Sequence, residues 1–256
     1  MALTLATNAR NAAADAIVDL ADAGAGAGDI QIATTAFASI LATITLSDPA
    51  YGSAAAGVAT LSGTPLTDAS ADNTGTAAVY RLRDSNTNVV FDGPVATSGG
   101  GDINLSTNAR NAAVDAIAAL CNGGDIQFAT DSGFGTVLLT LTLSSPAFAA
   151  ASSGSADVDV TPALTANASA SGTATFFRFR TSGAAEVLRG TVSTSGADIN
   201  FDNNVWVSGQ PITLNSFALS IAATSAASDG ALVINNTSIV AGQNVEITSG
   251  SFTQPA

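Results

Sequence analysis

The groups able to do chemistry are few in this chain. Of 256 residues, 20 are acidic and seven are arginine, and there is no histidine, no lysine and a single cysteine, Cys121. Without histidine there is no Ser–His pair and no imidazole metal ligand; without lysine there is no Schiff base and no phosphate-loop amine. Cys121 has no partner for a disulfide and no base to activate it. It ends a predicted helix, where a small buried apolar residue is expected. Paired carboxylates remain, the groups of glycoside hydrolysis, with Asp22, Asp29, Asp48, Asp72, Asp84 and Asp92 as candidates. Asp157, Asp159, Asp198 and Asp202 offer oxygen ligands for calcium, but their spacing does not fit an EF-hand loop. Sugar clefts want exposed aromatic rings, and Trp206, Tyr51 and Tyr80 are the only tryptophan and tyrosines. The expectation is no enzyme, no catalytic residue, no cofactor and no metal.

Charge narrows the partners. A net charge of −13 repels phosphate backbones and anionic membranes, so neither nucleic acid nor membrane is expected. Apolar runs fall far short of the roughly 20 residues that cross a bilayer. The N-terminus lacks the basic-then-apolar layout of a signal peptide. With 46% hydrophobic and 11% charged residues, the chain is too apolar to be a disordered acidic tail.

The elements that position these residues come twice. Thr7-Asn8-Ala9-Arg10-Asn11-Ala12-Ala13 recurs unchanged as Thr107-Asn108-Ala109-Arg110-Asn111-Ala112-Ala113. Gly28-Asp29-Ile30-Gln31 recurs as Gly124-Asp125-Ile126-Gln127, and Tyr80-Arg81-Leu82-Arg83 as Phe177-Arg178-Phe179-Arg180. Copy two continues past Thr194-Ser195-Gly196 into Val205-Trp206-Val207 and Gln210-Pro211-Ile212. Copy one passes from Thr97-Ser98-Gly99 through Gly100 and Gly101 straight into copy two. Its missing end stands at the C-terminus, in Leu232-Val233-Ile234 and Ile239-Val240-Ala241-Gly242-Gln243. Either copy two is inserted in the last hairpin of copy one, or the terminal segment completes copy one of a neighbouring subunit. The insertion orders less chain, so the expected domains are 1–101 plus 228–256 and, inside it, 102–227.

Each copy begins with a helix, capped by Thr7 or Asn8 in copy one, with an apolar stripe at Ala13, Ile17 and Leu20, repeated at Ala113, Ile117 and Leu120. Glycines close it, and the period then switches to two. Short alternating runs separated by Gly and Asp turns predict seven or eight strands per copy. The fold class is mainly β: two antiparallel β-sandwich modules, each with one short N-terminal α-helix.

Three residues stand out as interface or structural candidates. Arg10 and Arg110 persist in both copies amid alanines. Each is either an anchor to a neighbouring chain or a structural arginine that satisfies strand-end carbonyls or pairs with Asp15 or Asp115; the structural role is preferred. Trp206 stands where the tail has Ile239, which points to packing. Arg81, Arg83, Arg178 and Arg180 should lie on solvated strand faces opposite acids. Phe134, Phe148, Phe176, Phe177, Phe179 and Phe201 should be mostly core.

A set of motifs carries a resemblance: Ser106-Thr107-Asn108-Ala109-Arg110-Asn111-Ala112-Ala113, Leu46-Ser47-Asp48-Pro49-Ala50-Tyr51-Gly52, Gly75-Thr76-Ala77, the turn from Phe91-Asp92-Gly93 to Thr97-Ser98-Gly99, and Asn236-Thr237-Ser238-Ile239-Val240-Ala241-Gly242. Together they resemble small structural proteins of tailed bacteriophage and prophage virions, which usually carry one copy; the resemblance covers nearly the whole chain. It implies a virion location, assembly in the host cytoplasm, and contacts with the major capsid protein, other virion proteins or further copies of itself. The expected function is a non-enzymatic capsid decoration or cement protein; the alternatives are a tail or neck component and a host-surface or glycan-binding adhesin.

Overall fold

The computed structural model describes residues 3–95, 102–224 and 230–255, without the side chains of Gly230 and Ala231. The Thr97-Ser98-Gly99 turn and the Gly100–Gly101 junction lie outside these residues. The chain is mainly antiparallel β with two short helices, α1 (Thr7–Val18) and α2 (Thr107–Leu120). The described residues form 23 strands, several of two or three residues. That exceeds seven or eight per copy because short bridges between turns carry no alternation long enough to be legible.

Two compact units emerge. One comprises the described residues of 11–95, 102–113, 221–224 and 230–255 and holds most of copy one; the other comprises 3–10 and 114–220 and holds most of copy two. Residues 3–10 thus group with copy two, and 102–113 with copy one, unlike the boundaries of the repeat. Strand pairing explains this. In the first unit the main sheet runs Ile40–Thr45, Asp29–Ala33, Val79–Arg83, Val89–Pro94, Asn104–Leu105. In the second it runs Val137–Thr142, Asp125–Ala129, Phe176–Arg180, Glu186–Ser193, Thr4–Leu5. The strand before each helix therefore extends the sheet of the other repeat, covering what would be an exposed edge.

The C-terminal segment pairs within the chain. Val245–Thr253 pairs with Gly230–Ile234 on one side and with Val58–Thr60 and Leu66–Asp68 on the other. Ser238–Ile239 pairs with Gly75–Thr76.

The helices bury a wider stripe than the three positions expected. Ala9, Ala13, Ala14, Ile17, Val18 and Ala21 are buried, as are Ala109, Ala113, Val114, Ile117, Ala118 and Cys121, while Leu20 and Leu120 are half-buried. Small residues dominate this stripe because the helix backbone sits close to what it covers. In α2 the cap is Ser106, whose Oγ accepts the Ala109 N–H at 3.2 Å. In α1 the Asn8 Oδ1 accepts the Ala9 N–H at 2.9 Å. The polar side of each helix clasps a loop. Asn11, Asp15 and Asp22 accept the N–H groups of Gly57, Ala54 and Ala50 at 2.6, 2.6 and 2.8 Å. Asp115 and Asn122 do the same for Ala151 and Ala147, each at 2.8 Å.

Inward side chains of the main sheets meet the remaining strands. In the first unit Phe91 packs on Phe252, ring centres 5.6 Å apart. In the second, Phe177 and Phe179 meet Phe217 at 5.5 and 5.0 Å, and Phe128 meets Trp206 at 5.6 Å. Each fully buried ring contributes roughly 2–3 kcal/mol of transfer free energy. The turn out of each helix passes close to the sheet: a Cβ on Gly28 would strike the Arg83 carbonyl, and one on Gly124 the Arg180 carbonyl.

Removing residues 224–256 strips Val58–Thr60 and Leu66–Asp68 of their partner. A chain ending at Ala223 is expected to lose amide protection throughout 11–95 while keeping it at 125–193, as read by hydrogen exchange. Equal protection in both regions would show that the terminal strands are dispensable.

Candidate functional site

The same polar constellation covers the outer face of both main sheets. Alternation sends Tyr80 and Leu82 inward and Arg81 and Arg83 outward, and the register sets Asp29 opposite Arg83 and Gln31 opposite Arg81. Arg83 then grips the Asp29 carboxylate through Nε at 2.9 Å and Nη2 at 2.7 Å. Arg81 donates Nε and Nη2 to the Gln31 Oε1 at 2.8 and 2.6 Å. The second unit repeats this: Arg180 holds Asp125 at 2.8 and 2.6 Å, and Arg178 holds Gln127 at 3.0 and 2.8 Å. Paired forks of this kind are among the stronger hydrogen bonds of a protein surface.

An aromatic ring covers one guanidinium in each set. Phe37 lies over Arg81 with 4.7 Å from ring centre to guanidinium carbon, and Phe134 over Arg178 at 4.2 Å. Both phenylalanines adopt left-handed backbone, φ 56° and 55°, which costs a non-glycine residue of order 1 kcal/mol. Phe134 is therefore a lid on the outer face, where the sequence suggested core; it is nonetheless only 8% exposed.

Asp131 fixes this lid in the second unit. Its Oδ1 accepts the N–H groups of Gly133 at 2.9 Å and Gly135 at 3.5 Å, on either side of Phe134. The Gly135 and Gly133 amides hold the Asp131 carboxyl below the ordinary carboxylate range.

The two arginine faces differ at their third strand. Arg81 stands opposite Asp92, which accepts a 2.9 Å bond from Asn104 Nδ2. Arg178 stands opposite Arg189, and Glu186 lies between the like charges, 3.8 Å from Arg178 and 2.9 Å from Arg189. Burial and the neighbouring Arg180 lower the Arg178 pKa, with Glu186 opposing them.

The other candidates have structural partners. Trp206 is 1% exposed, donates Nε1–H to the Asn203 carbonyl at 3.0 Å and packs on Phe128 and Phe201. Arg10 donates Nη2 to the Thr7 hydroxyl at 3.4 Å, as Arg110 does to Thr107. Asp15, one of the partners that the sequence offered Arg10, is turned to the Ala54 N–H. Among the glycosidase candidates, Asp22 and Asp29 are the loop clasp and the Arg83 partner described above. Asp84 is 5% exposed and accepts the Asn88 N–H and Nδ2–H at 2.7 and 2.8 Å. Asp159 accepts the Thr161 N–H at 2.9 Å, and Asp198 the Thr191 N–H and hydroxyl, both at 2.8 Å. No group of three or more His, Cys, Asp or Glu side chains that could hold a metal ion occurs among the described residues. Burial pushes the Cys121 thiol up to about 12. No described helix is long and apolar enough to cross a membrane.

Asp131, Phe37, Gln31 and Gln127 escaped the sequence argument. The repeated Asp-Ile-Gln of the first long strand and the Arg-x-Arg of its partner carried the signal for the two glutamines. The lids carry none, since Phe37 and Phe134 stand in loops of different sequence.

A scan of protein-family models, a search of curated proteins and a search of solved structures each found no match to this chain.

Two outcomes test the arginine face. Arg180→Ala is expected to lower unfolding free energy by about 1–2 kcal/mol, the pair being about one-fifth exposed and part-screened. Chemical denaturation checks this, and an unchanged midpoint would make the fork a surface ornament. The second concerns pH. A depressed Asp131 pKa adds stability above the unfolded value near ~3.9 and loses it as pH falls through the lower folded value. Ring resonances of Phe134 are therefore expected to shift only in that acid window, and to lose the transition in Asp131→Asn.

Proposed function

We propose that the protein is a non-enzymatic structural component of a tailed-phage virion, most simply a capsid decoration or cement protein that stabilises a shell by burying surface across neighbouring subunits. One observation carries this choice over an adhesin: none of the 11 phenylalanines, two tyrosines and one tryptophan is exposed. A sugar-binding groove needs exposed rings as stacking platforms. Along the outer edge strands the exposed side chains are instead short and uncharged. Thr43, Thr45, Thr140 and Thr142 are exposed on the outer edge strands, and the exposed large apolar side chains among the described residues are Val205, Val207 and Val240. Uncharged side chains cost less to desolvate across a flat protein contact than charged ones would.

The duplication supports the same reading. One chain carries two versions of one rigid outer face, each stiffened by Arg–Asp forks, so it can engage two equivalent sites. The resemblance of the repeated motifs to small phage structural proteins suggests the virion setting, with the major capsid protein or another virion protein as partner. A tail or neck position is the second reading; it shares the contact chemistry and differs only in location.

Gold-labelled antibody against the protein, imaged on intact purified particles by electron microscopy, decides between them. Label over the icosahedral shell is expected. Label restricted to tail or neck would transfer the proposal there, and particles without label would end it.

A further inference from the structure

The two units differ most at one hairpin. In the first unit Ile234 pairs with Ile247, the Asn235 N–H donates to the Glu246 carbonyl at 3.0 Å, and the Glu246 N–H donates to Asn235 Oδ1 at 3.2 Å. Gly230–Ile234 thereby closes one edge of Val245–Thr253. The second repeat can be matched to it residue by residue. Asn203 Oδ1 accepts the Val205 N–H as Asn236 Oδ1 accepts that of Ser238, both at 2.9 Å. Gln210 Oε1 accepts the Val207 N–H as Gln243 Oε1 accepts that of Val240, both at 3.1 Å. The Phe217 carbonyl accepts from Val158 as that of Gly250 does from Leu61. Phe201, Asp202 and Thr213 are thus the counterparts of Ile234, Asn235 and Glu246.

In the second unit this ladder is open. Ile199–Asn200 runs parallel to Glu186–Ser193 instead, and Pro211–Leu214 pairs only with Leu164–Asn167 among the described residues. Between Asn200–Asn203 and Gln210–Ser216 lies a groove of about 300 Å³. The Ala168 N–H donates to the Gln210 carbonyl at 2.8 Å, and Ala166 stands opposite Ile212. Antiparallel bonding alternates along a strand, so the N–H and C=O of Thr213 turn away from Leu164–Asn167 and toward the groove. The same groups of Glu246 are the ones that Asn235 satisfies.

We propose that this edge receives an extended segment of a partner polypeptide as an added strand, with short side chains facing inward and a basic residue beside Asp202. The proposal takes up the protein-contact part of the reading above and names its surface. The first unit shows that a strand fits at this place. Short inward side chains follow from the interior behind the groove, which is filled: Phe201 and Trp206 pack 5.2 Å apart, and Phe217 fills the position of Gly250. The basic residue follows from charge, since Asp202 is the only ionisable group lining the groove among the described residues. The net charge of −13 opposes a second copy of the chain as the occupant. Backbone pairing supplies affinity and the alternate side chains supply selection, as in other strand additions.

The test titrates the full chain with two synthetic peptides, acetyl-Thr-Ala-Thr-Ala-Arg-amide and the same peptide N-methylated at alternate amides, and reads backbone amide shifts. Shifts centred on Thr213 are expected, with binding about tenfold weaker for the methylated peptide, which loses the donors of the ladder. Asp202→Asn should weaken the unmodified peptide severalfold without unfolding the chain. Thr213→Pro, which removes the N–H facing the groove and spares the ladder behind it, should abolish the shifts. Equal binding of both peptides, shifts centred elsewhere, or no shift at all would overturn the proposal. Shifts at Asp202 and Asn215 with maltotetraose or chitotetraose but not with peptide would also overturn it and make the groove a sugar site. Particle labelling reports separately: label on the shell with no peptide binding removes this edge alone, and peptide binding without label removes the virion setting alone.

Discussion

Each unit depends on the register between its first long strand and its central partner. Asp29 faces Arg83 and Gln31 faces Arg81; Asp125 faces Arg180 and Gln127 faces Arg178. A slip by one residue would turn every arginine inward and every Ile, Leu, Tyr or Phe outward. The buried face alone penalises that slip. The fork hydrogen bonds also penalise a slip by two, which alternation would tolerate. The outer face of these sheets therefore acts as a ruler as well as a surface, and the loops that carry Phe37 and Phe134 are held against it.

On this common sheet the two repeats build different second layers. In the first unit Leu232 and Ile234 on a paired strand, with Ile239, join Phe252 in this layer. The second unit places Phe201 and Trp206 at the points of Ile234 and Ile239 and Phe217 at that of Gly250; Phe201 follows the short strand Ile199–Asn200, and Trp206 lies on Val205–Trp206, which pairs with Gly172–Thr173. Once bulk has replaced the ladder as the source of burial, the hairpin arms part. An open backbone edge in a protein is ordinarily covered or charged. Here it is lined by uncharged amides and hydroxyls around one aspartate.

The two-residue strands before the helices show how a repeat becomes one folded object. Thr4–Leu5 and Asn104–Leu105 are too short to hold by pairing alone. They are placed by the helices that follow them, whose buried alanines leave little freedom at the start. Each helix in turn is clasped through Asn11, Asp15 and Asp22, or through Asp115 and Asn122, which satisfy loop N–H groups that would otherwise need water. Asp22, one of the carboxylates that suggested catalysis in the sequence, is thus turned to a backbone N–H.

By itself the sequence determined the duplication, the mainly antiparallel β character, the two helices and the outward arginines. These follow from periodicity and local pairing, which act over neighbours along the chain or across one turn. It also placed Trp206 in packing, from the isoleucine that occupies the same point in the other repeat. Only the tertiary structure decided which repeat takes the strand before each helix, that Asp15 serves Ala54, that Phe134 lies over Arg178, and that one hairpin is zipped while its twin is open. Those outcomes turn on competition between distant groups for the same hydrogen bond or the same volume, and a one-dimensional pattern does not contain that competition.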